Sequence, residues 1–179
     1  ADSTILPLKD LAQKHNFLIM EDRKFADIGN TQELQFSYGM YKISNWADLV
    51  TAQVIGGSAS LDGFHNVGVV AILGMSSKGT LTDAHYREEA MKIIENQTNV
   101  MACAAQNEIP DDLILMTPGV NLSDAGDSKG QQYNTPEKVI NKYHTDFIIV
   151  GRGIYKAENP EQEAVKYKMA GWEAYKNAM

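Results

Sequence analysis

Phe17-Leu18-Ile19-Met20-Glu21-Asp22-Arg23-Lys24-Phe25-Ala26-Asp27-Ile28-Gly29-Asn30-Thr31 joins an apolar run to a dense set of charges. The run Phe17–Met20 reads as a strand. On an extended chain side chains repeat with period two, so Asp22 and Lys24 point one way and Glu21 and Arg23 the other. Asp27 follows three residues after Lys24, where the strand gives way to a loop. An acid, a base and a second acid at the end of a buried strand form a charge-handling site. The competing reading is a buried structural ion pair, although such pairs are weak evidence for stability.

Five further apolar runs follow: Leu49–Ile55, Val69–Leu73, Asn99–Ala104, Leu113–Met116 and Phe147–Val150. They are nearly continuous rather than alternating, the pattern of strands buried on both faces in a parallel sheet. Helix signals lie between them. Asn30 with Glu33 fits a capping pair, and Thr82 opens the segment Asp83–Ile94. Thr135-Pro136 and Asn159-Pro160 each place a cap before a first-turn proline. Leu6–Lys14 reads as a helix leading into the first strand, and the last helix runs from Pro160 to near Lys176. The order is α/β. Six strands in 179 residues give about 30 residues per βα unit, whereas a closed eight-fold barrel takes ~250. Two architectures fit: an open doubly wound sheet, or a barrel lacking its first two strands. No internal repeat, low-complexity tract or linker interrupts residues 1–179, which read as a single domain.

The formal net charge is −7 and the sequence pI about 5.0. No basic surplus exists to neutralise phosphates, so neither nucleic acid nor an anionic membrane is an expected partner. A local cationic site for one small anion remains compatible with this balance. The single cysteine, Cys103, excludes an internal disulfide and suits a reducing compartment; mid-strand, it reads as a small core residue. No apolar run approaches a membrane span, and Ala1-Asp2-Ser3-Thr4 lacks a signal-peptide pattern. The expected location is cytoplasmic.

Polar residues gather where the strands end: Asp22, Lys24 and Asp27; then Met75-Ser76-Ser77-Lys78-Gly79; then Thr117-Pro118-Gly119-Val120; then Gly151-Arg152-Gly153. Ligands of parallel α/β proteins bind at the carboxyl ends of strands, so four segments at one rim outweigh any one of them. In Gly151-Arg152-Gly153 the glycines permit close backbone approach and the arginine can fork onto phosphate oxygens; a surface turn with a solvated arginine is the bland alternative. The long polar loop Gly119–Tyr133 reads as a lid or a surface insertion, with Gln131 and Tyr133 as donors to a phosphate. His15, His65, His85 and His144 have no metal-ligand spacing and read as surface or helix-end residues. Ser76 and Ser77 lack the glycine-flanked elbow of a serine hydrolase. Trp46, Trp172 and the tyrosines of the last helix read as core and helix packing. No dinucleotide fingerprint or Walker-type loop is present.

Asp22-Arg23-Lys24-Phe25-Ala26-Asp27-Ile28-Gly29-Asn30-Thr31 resembles the signature of the orotidine 5′-monophosphate decarboxylases, nearest to the eukaryotic form, the C-terminal domain of uridine 5′-monophosphate synthase. Met75–Gly79, Thr117–Val120, Gly130-Gln131-Gln132-Tyr133 and Val150–Gly153 resemble further family segments, in the family's order. The resemblance spans essentially the whole chain. It implies a homodimeric TIM (β/α)8-barrel, with no cofactor and no metal, that converts orotidine 5′-monophosphate to uridine 5′-monophosphate in pyrimidine biosynthesis. It further implies that Lys24 protonates C6 of the pyrimidine as carbon dioxide leaves, within a charge network containing Asp22. Asp27 would join that network from the other subunit, with Thr31 reaching across to the ribose. Ser76 would hydrogen-bond the pyrimidine and Pro118 line its pocket; Gln131, Tyr133, Gly151 and Arg152 would hold the 5′-phosphate.

The family has two strands before the segment aligned with Phe17. The first carries an aspartate that contacts the ribose, the second a lysine that completes the charge network. Neither is in this sequence, in agreement with the two-unit deficit. Besides the decarboxylase, two other functions fit the pattern. One is a non-catalytic nucleotide-monophosphate-binding fragment of the family. The other is a superfamily relative that shares Asp-x-Lys-x-x-Asp but uses a metal on a sugar phosphate, against which Ser76 and Gln131 argue.

Overall fold

The computed structural model describes residues 2–110, 112–122 and 130–178. The chain divides into two compact units, Ala1–Ile72 with Glu88–Ala102, and Leu73–Arg87 with Cys103–Met179. The elements are α1 (Asp2–His15), β1 (Met20–Phe25), α2 (Gly29–Glu33), β2 (Leu49–Gln53), β3 (Gly68–Ile72), α3 (Ala84–Ile94), β4 (Val100–Ala104), β5 (Ile114–Thr117), α4 (Pro136–Tyr143), β6 (Phe147–Ile148), α5 (Arg152–Tyr155) and α6 (Pro160–Ala178). Strand order follows chain order from β1 to β6. The architecture is therefore α/β, as the apolar runs predicted.

In the first unit, α1 stops at Asn16, whose φ of 54° places it in the left-handed region. The Phe17 N–H then donates to the Ala12 carbonyl at 3.1 Å, a six-to-one closure that ends a helix. β1 begins at Met20, not at Phe17 as the apolar run predicted; Phe17 and Leu18 are exposed. β1 pairs parallel with β2 and β2 with β3, Leu49 opposite Gly68 through Gln53 opposite Ile72. All five residues of β3 are buried. The Val69 N–H donates to the Asn99 carbonyl at 2.8 Å, which aligns the approach to β4. Phe25, Phe36 and Phe64 form an edge-to-face triad with centroids 5.0–6.4 Å apart, the arrangement aromatic quadrupoles favour. All three are at most 2% exposed.

In the second unit, the Leu73 and Gly74 N–H groups both donate to the Ala104 carbonyl at 3.0 Å. β5 pairs parallel with β6, Met116 opposite Phe147 and Thr117 opposite Ile148. Val120, Val139, Ile140 and Ala174 form one apolar cluster in it, with Tyr143, Ile148 and Val150 packed against them. One device occurs in both units. The Asp48 carboxylate accepts the Ile19 N–H and the Asp146 carboxylate accepts the Leu115 N–H, each at 2.8 Å. Each aspartate precedes a strand and clasps the chain of the strand before it.

Helix starts are partly as expected. Thr135 accepts the Lys138 N–H with Pro136 in the first turn, and Asn159 accepts the Gln162 N–H. Asp83, not Thr82, caps α3 by accepting the Tyr86 N–H at 2.9 Å; the Thr82 hydroxyl instead accepts the Met75 N–H. Asn30 lies inside α2, whose N-cap is Ile28 with no side-chain bond, so the Asn30–Glu33 capping pair does not form. Trp172 and Tyr175 stack at 5.5 Å on an exposed face of α6 rather than in a core. Tyr167 is buried.

Candidate functional site

The residues singled out from sequence fall into two clusters, one in each unit. In the first, the Lys24 ammonium donates to both carboxylate oxygens of Asp22, at 2.7 and 2.8 Å. Arg23 approaches Glu21 at 3.8 Å, and its guanidinium lies 5.4 Å from the Phe25 ring centroid and 5.5 Å from that of Tyr41. Asp22 with Lys24, and Glu21 with Arg23, thus share sides as the sequence predicted, and each pair is in contact. The ion pair is not buried, however: the Asp22 and Lys24 side chains are 56% and 36% exposed. Exposed pairs contribute only ~0.2–1 kcal/mol, so fold stability does not account for this one.

The local backbone is irregular. Between Glu21 and Phe25 the register slips, with Glu21 opposite Val50 and Phe25 opposite Ala52. Four steps along β1 match two along β2, which is a bulge. Lys24 sits in it with φ of 57°, a left-handed conformation costing a non-glycine residue about 1–2 kcal/mol. The Thr51 hydroxyl fills the gap. It accepts the Lys24 N–H at 2.8 Å and donates to Asp22 Oδ1 at 3.0 Å.

Asp27 turns to other partners. Its carboxylate accepts the Ile28 N–H at 2.9 Å and faces Gln35 Nε2 at 3.5 Å. Its own N–H donates to Gln32 Oε1 at 3.2 Å, and the buried Gln32 amide also donates to the Ser60 carbonyl. Thr31 is half-buried on α2. Thr51 and Gln32 were missed by sequence reasoning. The available signal was a lone hydroxyl in Leu49-Val50-Thr51-Ala52-Gln53 and a glutamine that turns out fully buried.

In the second unit, the Ser76 hydroxyl donates to Gln131 Oε1 at 3.3 Å. Around them Gln132 N–H donates to the Ser76 carbonyl, Lys78 N–H to the Gly130 carbonyl, and Ser77 bridges Gln131 in antiparallel fashion. Gln106 Nε2 donates to the Pro118 carbonyl at 2.9 Å. Gly119 has φ of 71°, and a Cβ there would come within 2.7 Å of Gln106, Gln131 and Gln132, so only glycine fits. The Arg152 guanidinium carbon stands 5.8 Å from the Tyr133 ring centroid, within cation–π range. Ser76, Gln131 and Pro118 thus share one local network, and Arg152 faces Tyr133. The middle of the predicted lid, residues 123–129, lies outside the described residues.

Gly153 differs from expectation. Gly151 is the N-cap of the single-turn α5, with room for a Cβ beside Tyr155. A Cβ on Gly153 would collide with the Tyr167 hydroxyl and ring. Close packing, not ligand approach, explains Gly153. Cys103 is buried in β4. Burial, with the nearby Asp112 charge, pushes its thiol up to about 12, so it is not a nucleophile at neutral pH. Among the described residues, no group of three or more His, Cys, Asp and Glu is arranged to hold a metal ion, and no helix is long and apolar enough to cross a membrane.

The sequence profile of the orotidine 5′-phosphate decarboxylase / HUMPS family matches residues 2–167. The chain belongs to this family. It is 43% identical to the orotidine 5′-phosphate decarboxylase of Komagataella pastoris over 99% of this chain and 73% of that protein. The enzyme of Pichia kudriavzevii is 42% identical over 98% and 73%. Two solved structures share the fold. Orotidine 5′-monophosphate decarboxylase of Sulfolobus solfataricus has a TM-score of 0.72 at 17% identity, covering 97% of this chain and 82% of that one. The enzyme of Methanocaldococcus jannaschii, complexed with inhibitor BMP, has a TM-score of 0.69 at 23% identity, covering 93% and 79%. The six-stranded α/β fold is that of the TIM-barrel decarboxylases; the doubly wound alternative falls away.

Proposed function

We propose that this chain is a carboxy-lyase acting on orotidine 5′-monophosphate, with residues 1–179 as one domain and Asp22 and Lys24 at the reacting carbon. The supporting observation is the two-point contact of the Lys24 ammonium with Asp22 on a bulged strand, in a chain of this family.

The chemistry asks for such a pair. As carbon dioxide leaves C6 of the pyrimidine, the bonding electron pair stays on a carbon with no adjacent π-acceptor. A held ammonium stabilises that developing charge far better in a water-excluded site than in water. In this reading Lys24 then delivers one proton to C6, and the products are uridine 5′-monophosphate and carbon dioxide. Asp22 orients the ammonium. With its negative charge set beside the substrate carboxylate, it favours departure of that group.

Binding energy from distant groups can be used at the reacting carbon. Ser76 contacts the pyrimidine edge and Pro118 lines its pocket. Gln131, Tyr133, Gly151 and the fork of Arg152 hold the 5′-phosphate. The partner subunit's Asp27 and the partner subunit's Thr31 complete the site in a homodimer. No step calls on a cofactor or metal, and the reaction belongs to cytoplasmic pyrimidine synthesis.

The test is loss of orotidine 5′-monophosphate absorbance with this chain and with Lys24→Ala. Turnover that vanishes in the variant is the expected result. Turnover that survives Lys24→Ala removes the lysine from its role. Tight binding of uridine 5′-monophosphate without turnover by the parent chain marks it as a binding fragment instead.

A further inference from the structure

We infer that Thr51 is a positioning residue: its hydroxyl closes the β1 bulge and thereby aims both Lys24 and Asp22. The inference rests on the reading of Lys24 and Asp22 given above, but its geometry stands alone.

Thr51 is 2% exposed and occupies the middle of β2, flanked by Val50 and Ala52. A hydroxyl has one proton to give and lone pairs to receive. Here its orientation is fixed from both sides. The Lys24 N–H can only donate, and it meets Oγ1 at 2.8 Å. Asp22 Oδ1 is 3.0 Å away, so the hydroxyl proton points to it. The same carboxylate oxygen receives the Lys24 ammonium at 2.7 Å. Backbone of Lys24, hydroxyl of Thr51, carboxylate of Asp22 and ammonium of Lys24 therefore form a closed ring of contacts. Two features otherwise unexplained meet in it: a lysine with φ of 57°, and the only register slip in the β1–β2 pairing. With that hydroxyl removed, the Lys24 N–H loses its acceptor in the gap and Asp22 is free to change rotamer.

The experiment uses the full chain carrying Thr51→Val, which keeps the side-chain shape, and Thr51→Ala, which adds no apolar bulk. Thr51→Ser restores the hydroxyl. Two readouts are taken: hydrogen exchange of the Lys24 backbone amide without substrate, and kcat and KM for orotidine 5′-monophosphate. Exchange at Lys24 is expected to accelerate at least tenfold in the valine and alanine variants. kcat is expected to fall about tenfold or more while KM stays within threefold. The serine variant is expected to recover both. Lys24 exchange within twofold of the parent in Thr51→Val and Thr51→Ala overturns the inference, as does accelerated exchange with unchanged kcat. The exchange readout needs no turnover. If Lys24→Ala leaves decarboxylation intact, the proposed chemistry fails while Lys24 exchange still decides whether Thr51 holds the bulge.

Discussion

In the first unit the charged side chains stand on a strand. They are paired to one another and held from the neighbouring strand by one buried hydroxyl. In the second unit the polar side chains other than Arg152, which opens α5, stand on loops, and they are tied largely through amides and main-chain carbonyls such as those of Pro118 and Ser76. A strand places an ammonium against a fixed point, as charge stabilisation at a single carbon requires. The contrast extends to backbone economy. The first unit accepts left-handed geometry at a lysine inside a strand; in the second, left-handed residues sit at Gly119 and Gly130 in the loops and at His144, which caps the end of α4.

The sharpest way to break this division of labour is Lys24→Ala. It is expected to lower kcat for orotidine 5′-monophosphate by at least ~10²–10⁴, the range for a lost proton-transfer group. Affinity for uridine 5′-monophosphate, read by calorimetry, should change by less than tenfold. Equal loss of both would place Lys24 in binding rather than chemistry. Arg152→Ala tests the other half. Charge-assisted hydrogen bonds are worth about 1.5–3 kcal/mol, so nucleotide affinity should fall roughly 10–150-fold while nucleoside affinity stays near that of the parent. Parallel losses would contradict a phosphate role.

Smaller effects refine the contrast. Gly119→Ala forces a methyl against Gln106 and Gln131 at a positive φ. A cost of about 1–3 kcal/mol is expected, read by urea denaturation; a loss below ~0.5 kcal/mol would show that this loop network adjusts freely. Cys103 gives a pH test within the second unit. Its thiol is raised from 9.0 to about 12 in the folded chain. The folded state therefore keeps a proton that the unfolded chain gives up, and this contribution to stability is intact below pH 9 and declines between pH 9 and 12. Cys103→Ala should flatten the denaturant midpoint against pH across that window. In the native chain at pH 7, thiol reagents should react at Cys103 only as fast as the protein opens.

Much of the frame is legible in the sequence. Continuous apolar runs marked β2 to β6; β2 and β3 bury both faces, whereas Met101, Ile114 and Phe147 stay exposed on β4, β5 and β6. β1 was displaced because its pattern is charged: Met20–Phe25 pairs with β2, and only Phe25 of its six residues is buried. That Asp22 and Lys24 share a side followed from strand alternation; the exposed ion pair they form did not. The bulge did not, since no glycine marks it and its cause lies 27 residues away at Thr51. Gly153 was legible as a special position, but not its reason, because Tyr167 reaches it from a different helix. Nothing in the local sequence of Ser76 indicated that Gln131, 55 residues on, would meet its hydroxyl. Long-range polar contacts leave no periodic trace, whereas burial does.

The slip between Glu21 and Phe25 adds an even number of residues on one side of the ladder, and Phe25 still lands in the aromatic triad. Loss of a single codon from this segment would reverse that parity and turn the phenylalanine toward water. A one-residue change of length here would therefore cost the fold a buried aromatic whichever side chains the segment carries.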